Sequence, residues 1–136
     1  MKKPEHNKAN VLIVDDDAIN IFLTREMLKN HCNLTAVLSG YEALKTLDKN
    51  IYDVILMDIN LGDEYMDGLR TMRLIRQNWD HRYTRIFAVT AYSDARDWYV
   101  KQGFDDLFMK PVEKDKLIFE INKIITSELW PSKFVI

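Results

Sequence analysis

The sequence predicts an α/β fold, a doubly wound parallel sheet covered by helices on both faces. Three observations carry that prediction. Strand-like and helix-like segments alternate five times along the 136 residues, the order that builds strand–helix–strand units. The strand candidates are short, near-continuous apolar runs such as Val11-Leu12-Ile13-Val14 and Val54-Ile55-Leu56-Met57, as expected of strands buried on both sides. Four of the five end in a chemically pointed residue: Asp15 and Asp16, Asp58, Thr90 and Lys110. The carboxyl ends of an open parallel sheet lie along one edge, where ligands bind.

Residues 1–9 read as a disordered terminus. After the first strand, Asp17 is placed to cap a helix over residues 18–30, with Ala18, Phe22, Leu23 and Met27 near helical spacing. Thr35-Ala36-Val37-Leu38 is the second strand, and Ser39-Gly40 a turn signal. Tyr41, Ala43, Leu44 and Leu47 mark a short helix closing near Asn50. The stretch from Asp53 to Asn60 is the third strand, followed by an acidic, glycine-bearing loop from Leu61 to Gly68. Leu69, Met72 and Ile75 begin a helix that closes around Asn78, and Arg85–Thr90 is the fourth strand. Ser93 or Asp94 is placed to cap a helix running through Gln102, with Gly103 as its stop. Leu107-Phe108-Met109 is the fifth strand. Leu117, Ile118, Ile121, Ile124, Ile125 and Leu129 form the clearest helical stripe.

Composition narrows the function classes. At 136 residues, 47% apolar and 29% charged, the chain reads as one soluble globular domain. Its net charge of −2 gives no general pull toward nucleic acid or an anionic membrane. No run approaches the ~18 consecutive apolar residues of a membrane-spanning helix. The single cysteine, Cys32, excludes an internal disulfide and suits a reducing compartment, so the expected location is the cytoplasm. His6, His31 and His81 lack metal-ligand spacing. Cys32 beside His31 is no thiol–base pair, since neighbours on a helix point apart. The apolar segment at residues 128–136, with Pro131 stopping the last helix, reads as a tail that folds back, meets a second protomer or begins a further segment.

Taken singly, an Asp at a strand end is most often a turn former or cap, and a lone Lys or Thr is a satisfied polar group. Their joint placement decides otherwise. Carboxylates from Asp15, Asp16 and Asp58 converging at one edge repel one another unless a hard cation joins them. A carboxylate in such a setting can attack phosphorus, with Lys110 supplying positive charge and Thr90 a hydroxyl donor.

These motifs resemble, as a set, the receiver domain of two-component response regulators: Val-Leu-Ile-Val-Asp15-Asp16-Asp17, Ile-Leu-Met-Asp58, Met66-Asp67-Gly68, Ala-Val-Thr90-Ala91 and Met-Lys110-Pro111. The resemblance covers about residues 10–127 and is similar in detail to receivers attached to hybrid kinases. It implies a flavodoxin-like five-stranded sheet of order 2-1-3-4-5 flanked by five helices. It implies that Asp58 is the phosphoacceptor, fed by a sensor histidine kinase or histidine phosphotransfer protein. Asp15, Asp16 and Asp58, with the Asn60 backbone carbonyl, would hold Mg²⁺ (or Mn²⁺), and Lys110 and Thr90 would meet the phosphoryl oxygens. Ala91, Tyr92 and Asn60 would tune switching and water access, and the Lys110–Pro111 bond would be cis.

Two departures stand out. Leu107 occupies the position where the family usually has a switching Tyr or Phe, leaving Trp98, Tyr99 or Tyr92 as substitutes. The loop after Asp58 runs about two residues longer, with Gly62 in place of a Pro and extra acid in Asp63 and Glu64. Those acids read first as a solvated loop, and second as a reach of Glu64 to the metal. The expected activity is self-catalysed phosphorylation and slow autodephosphorylation, not turnover of a separate substrate. A phosphoryl group adds about −1.5 to −2 charge, shifting the face built by the fourth helix, fifth strand and last helix toward docking or homodimerisation. The alternatives are a degenerate receiver acting only as a binding module, and a hydrolase for which the chain has no cap domain.

Overall fold

β3 (Val54–Asp58) runs through the middle of the sheet, and each of its residues is buried. The structure, a computed structural model, describes residues 8–91 and 95–127. β3 is flanked by β1 (Ala9–Val14) and β4 (Arg85–Thr90), with β2 (Cys32–Val37) and β5 (Asp106–Met109) at the edges. All pairings are parallel and the order is β2-β1-β3-β4-β5, as anticipated.

Side chains alternate across the sheet and build two cores. Leu12, Val14, Ile55, Met57, Ile86, Ala88 and Leu107 face α2 (Gly40–Leu47), α3 (Gly68–Arg76) and α4 (Arg96–Gln102). Val11, Ile13, Val54, Leu56, Phe87 and Phe108 face α1 (Ala18–Leu28) and α5 (Lys114–Ile125). Helices on both faces explain why the strands read as continuous apolar runs. Asp17, Ser39 and Asp67 cap α1, α2 and α3 by accepting from the amides of Ile19, Glu42 and Arg70.

Several local expectations change. β1 begins at Ala9, inside the stretch read as a terminus, because Ala9 pairs with Cys32 at the start of β2. β2 therefore opens three residues early; as an edge strand it carries polar Asn33 and Thr35, which mask the apolar pattern. Cys32 thus lies on a strand rather than a helix, and burial pushes its thiol up to about 11, which leaves it unreactive. α1 ends at Leu28, and its buried side is Leu28 with Ile21 and Met27, whereas Phe22 and Leu23 are exposed. α3 stops at Arg76 and a 3-10 turn, Trp79–His81, follows. There His81 is buried with Nε2 2.9 Å from the Leu47 carbonyl, tying the turn to the end of α2. α4 starts at Arg96 without a side-chain cap, and the expected caps Ser93 and Asp94 lie outside the described residues, as do residues 1–7, Tyr92 and the tail 128–136. Gly103 does end α4, at φ +129°.

Candidate functional site

The carboxyl ends of β1, β3, β4 and β5 bring the expected residues to one edge. Asp58, the last residue of β3, is 4% exposed. Its Oδ1 accepts from the Asn60 amide at 3.1 Å and its Oδ2 from Lys110 Nζ at 2.9 Å. Lys110 follows β5, where its amide donates to the Thr90 carbonyl at 2.7 Å, and the Lys110–Pro111 bond is cis. Thr90 ends β4 and is buried; Ala91, next in the chain, is exposed. Asp15 is buried beyond β1, and its Oδ1 accepts from the Asp17 amide at 2.9 Å. One oxygen each from Asp15, Asp16 and Asp58 lies within 4.8 Å of the others.

This crowding has an electrostatic signature. Burial, followed by the charge of Asp58, pushes the Asp15 carboxyl from 3.8 up to about 6, against the opposing Asp17 amide and the Lys110 ammonium. A hard divalent cation would favour the ionised set, and an all-oxygen donor group two of whose members are buried fits Mg²⁺. Glu64 is exposed and outside this cluster; it lines a shallow depression with Asn60, Gly62, Asp63 and Asp67. Asn60 is itself exposed, and its side-chain oxygen accepts from the Gly62 amide at 3.1 Å.

β5 shows why Phe108 does not stand in for the missing aromatic. Leu107 points into the α2–α3–α4 core beside Phe104, whereas Phe108 points to the opposite layer, its ring 5.3 Å from Phe87. Tyr99 packs against Phe104 with centroids 5.9 Å apart, and Trp98 remains half-exposed with an edge toward Tyr99. Sequence reasoning named Gly62 and Gly68 but not what they lie against. A Cβ at Gly68 would fall on the Asp58 carbonyl, and one at Gly62 would fall 2.7 Å from Asp16 Oδ2. Gly68 follows the Asp67 cap and Gly62 sits within a loop, and no sequence pattern points from either to its neighbour.

Residues 11–122 match the model of the response regulator receiver domain. The chain belongs to this family. Receiver domains accept phosphoryl groups, bind Mg²⁺ and work with histidine kinases or phosphotransfer proteins. This receiver is 35% identical over 119 residues to the transcription factor SKN7 of Candida albicans, covering 85% of this chain and 21% of that protein. It is 34% identical over 112 residues to the signal transduction histidine-protein kinase BarA of Escherichia coli K12, covering 79% and 12%. With the heme response regulator HssR of Staphylococcus aureus it shares 30% identity over 115 residues, covering 84% and 50%. The chain therefore spans at most half the length of these relatives. Among solved structures, the receiver domain of the Pseudomonas aeruginosa sensor histidine kinase PA1611, which holds a magnesium ion in its active-site cleft, superposes with a TM-score of 0.77 at 28% identity, covering 88% of this chain and 99% of that one. The Francisella response regulator 1452 receiver domain gives 0.72 at 29% identity, covering 87% and 97%. No helix among the described residues is long and apolar enough to cross a membrane.

Proposed function

We propose that this receiver, spanning residues 10–127, takes a phosphoryl group onto Asp58 from the histidine of a sensor kinase or phosphotransfer protein and uses the added charge to switch its output face. The observation that carries this reading is Asp58 itself: a buried strand-end carboxylate bonded to Lys110 at 2.9 Å and grouped with two further carboxylates. Asp15, Asp16 and Asp58, with the Asn60 carbonyl, would hold Mg²⁺ or Mn²⁺, which when bound supplies positive charge to the phosphoryl oxygens. An Asp58 oxygen forms the bond to phosphorus as the phosphorus–nitrogen bond of phosphohistidine breaks, and the electron pair stays on the imidazole nitrogen. Lys110, partly exposed and already in contact, keeps its ammonium on the new group, and the Thr90 hydroxyl donates to another phosphoryl oxygen. Asn60 and Tyr92 set water access for the slow return to free Asp58.

Pulling Thr90 toward the phosphoryl leaves space beside Leu107 and biases the α4-β5-α5 face between two arrangements. That face carries a groove of about 500 Å³ lined by Arg96, Asp106, Met109, Pro111 and Phe119. Half-exposed Met109 and Phe119 give it the apolar character of a docking or homodimer surface. A net charge of −2 argues against nucleic acid or membrane as the partner, and the proposed location is the cytoplasm. Leu107 favours the second reading, a receiver that binds partners without phosphorylation.

Incubating the purified chain with a small acyl-phosphate donor separates the two. We expect a mass gain of one phosphoryl group that requires Mg²⁺ and disappears in Asp58→Asn. No gain from donor or cognate kinase would favour the binding module.

A further inference from the structure

We propose that Gly62 is a positioning residue for Asp16, and so sets the affinity of this receiver for its divalent cation; the proposal rests on Asp15, Asp16 and Asp58 being the metal carboxylates. Asp16 is the exposed member of the three and lies two residues beyond the end of β1. Among the described residues, no hydrogen bond or ion pair holds its side chain. A free carboxylate on a loop, beside two like charges, would swing outward to solvent. Its oxygen nonetheless stays within 4.8 Å of those of Asp15 and Asp58.

What lies against it is Gly62. The residue has φ +73°, and a Cβ there would sit 2.7 Å from Asp16 Oδ2. The missing side chain is the space the carboxylate uses. Gly62 is itself registered to the site. Asp58 Oδ1 accepts from the Asn60 amide, and Asn60 Oδ1 accepts from the Gly62 amide, both at 3.1 Å. Two successive side-chain-to-backbone turns thus lead from one metal carboxylate to the residue that confines another. The far side of the loop is fixed as well: Asp63 Oδ1 accepts from the Tyr65 amide at 2.8 Å, and the Gly68 amide donates to the Ile59 carbonyl at 2.9 Å. With the loop held at both ends, an added Cβ would displace the carboxylate rather than the backbone.

Alanine at φ +73° also carries backbone strain, so the test must separate strain from displacement. Gly62→Asn does this, because asparagine tolerates the left-handed region yet brings the Cβ. Gly103→Ala, at φ +129° and beside Met72, supplies strain remote from the site. The measurement is Mg²⁺ titration of each folded variant, followed by tryptophan fluorescence, with thermal unfolding in chelator as the check on folding. Gly62→Ala and Gly62→Asn are both expected to weaken Mg²⁺ roughly tenfold or more, the scale seen when groups that orient metal ligands are lost. Gly103→Ala should leave the affinity unchanged. In an Asp16→Ala background, Gly62→Ala should add less than about twofold, because the carboxylate it displaces is gone. Wild-type affinity in both Gly62 variants, or an undiminished loss in the Asp16→Ala background, overturns the inference while leaving the metal site intact. Unchanged affinity in Asp16→Ala alone would overturn the inference together with the metal assignment of Asp16.

Discussion

Asp15→Asn is expected to move Mg²⁺ binding and metal-free stability in opposite directions. The carboxyl is held up at about 6 by burial and by Asp58, so the folded protein binds this proton more tightly than the unfolded chain does. The ionised form therefore costs the fold stability, absent below the unfolded value of 3.8 and fully present once pH exceeds about 6. One pKa unit corresponds to about 1.4 kcal/mol, and allowing for screening at this open edge the penalty near neutral pH is about 1–2 kcal/mol. Asparagine removes it and keeps the oxygen that accepts from the Asp17 amide. Metal-free Asp15→Asn should therefore unfold a few degrees higher than wild type at neutral pH and at the same temperature near pH 3. Its Mg²⁺ affinity should fall tenfold or more, since one of the three convergent charges is lost. Thermal unfolding with and without Mg²⁺ at the two pH values reads both effects. Equal Mg²⁺ stabilisation of wild type and variant would remove Asp15 from the metal set.

Ile55→Ala should be among the most destabilising single truncations in the chain. Ile55 is fully buried in the central strand and pairs with Leu12 of β1 on one side and Ile86 of β4 on the other, both also fully buried. The three side chains form a row across the sheet beneath Met72 and Ile75 of α3. Hydrogen-bonded strands on both sides limit how far the neighbours can collapse into the vacated space. The cost should lie in the upper part of the range for such truncations, about 3–5 kcal/mol. Against a typical total of about 5–15 kcal/mol, that brings the domain close to unfolding in mild denaturant. Ile55→Val, with one methyl lost, should cost about 0.5–1.5 kcal/mol. Urea unfolding measures both, and a loss below about 1 kcal/mol for the alanine variant would show that α3 can settle onto the sheet.

These two residues also show which parts of the molecule were legible in the sequence. Ile55 sits in an apolar run because its strand is covered on both sides, and Asp15 ends such a run because the sheet edge meets solvent. Strand identity and the site carboxylates were readable for that reason. The pairing of Lys110 with Asp58, 52 residues apart, could be anticipated only from the shared edge. Phe22 and Leu23 had helical spacing but face outward, since the orientation of α1 is decided by where Leu28 meets the sheet rather than by the stripe itself. Polar Asn33 and Thr35 hid the start of β2 because an edge strand tolerates them. The contact of Gly62 with Asp16 joins two loops and leaves no periodic trace. The sequence marks Leu107 as a departure, but only the alternation along β5 shows that Phe108 faces the other layer.

The central claim concerns which atom receives the phosphoryl group, and borohydride reduction reads this directly, because it converts an acyl phosphate of aspartate to homoserine at the acceptor position. After phosphorylation in Mg²⁺ and reduction with labelled borohydride, peptide mapping should place the label at Asp58 alone. Label at Asp15 or Asp16, or a phosphorylated protein that borohydride does not mark, would contradict the assignment.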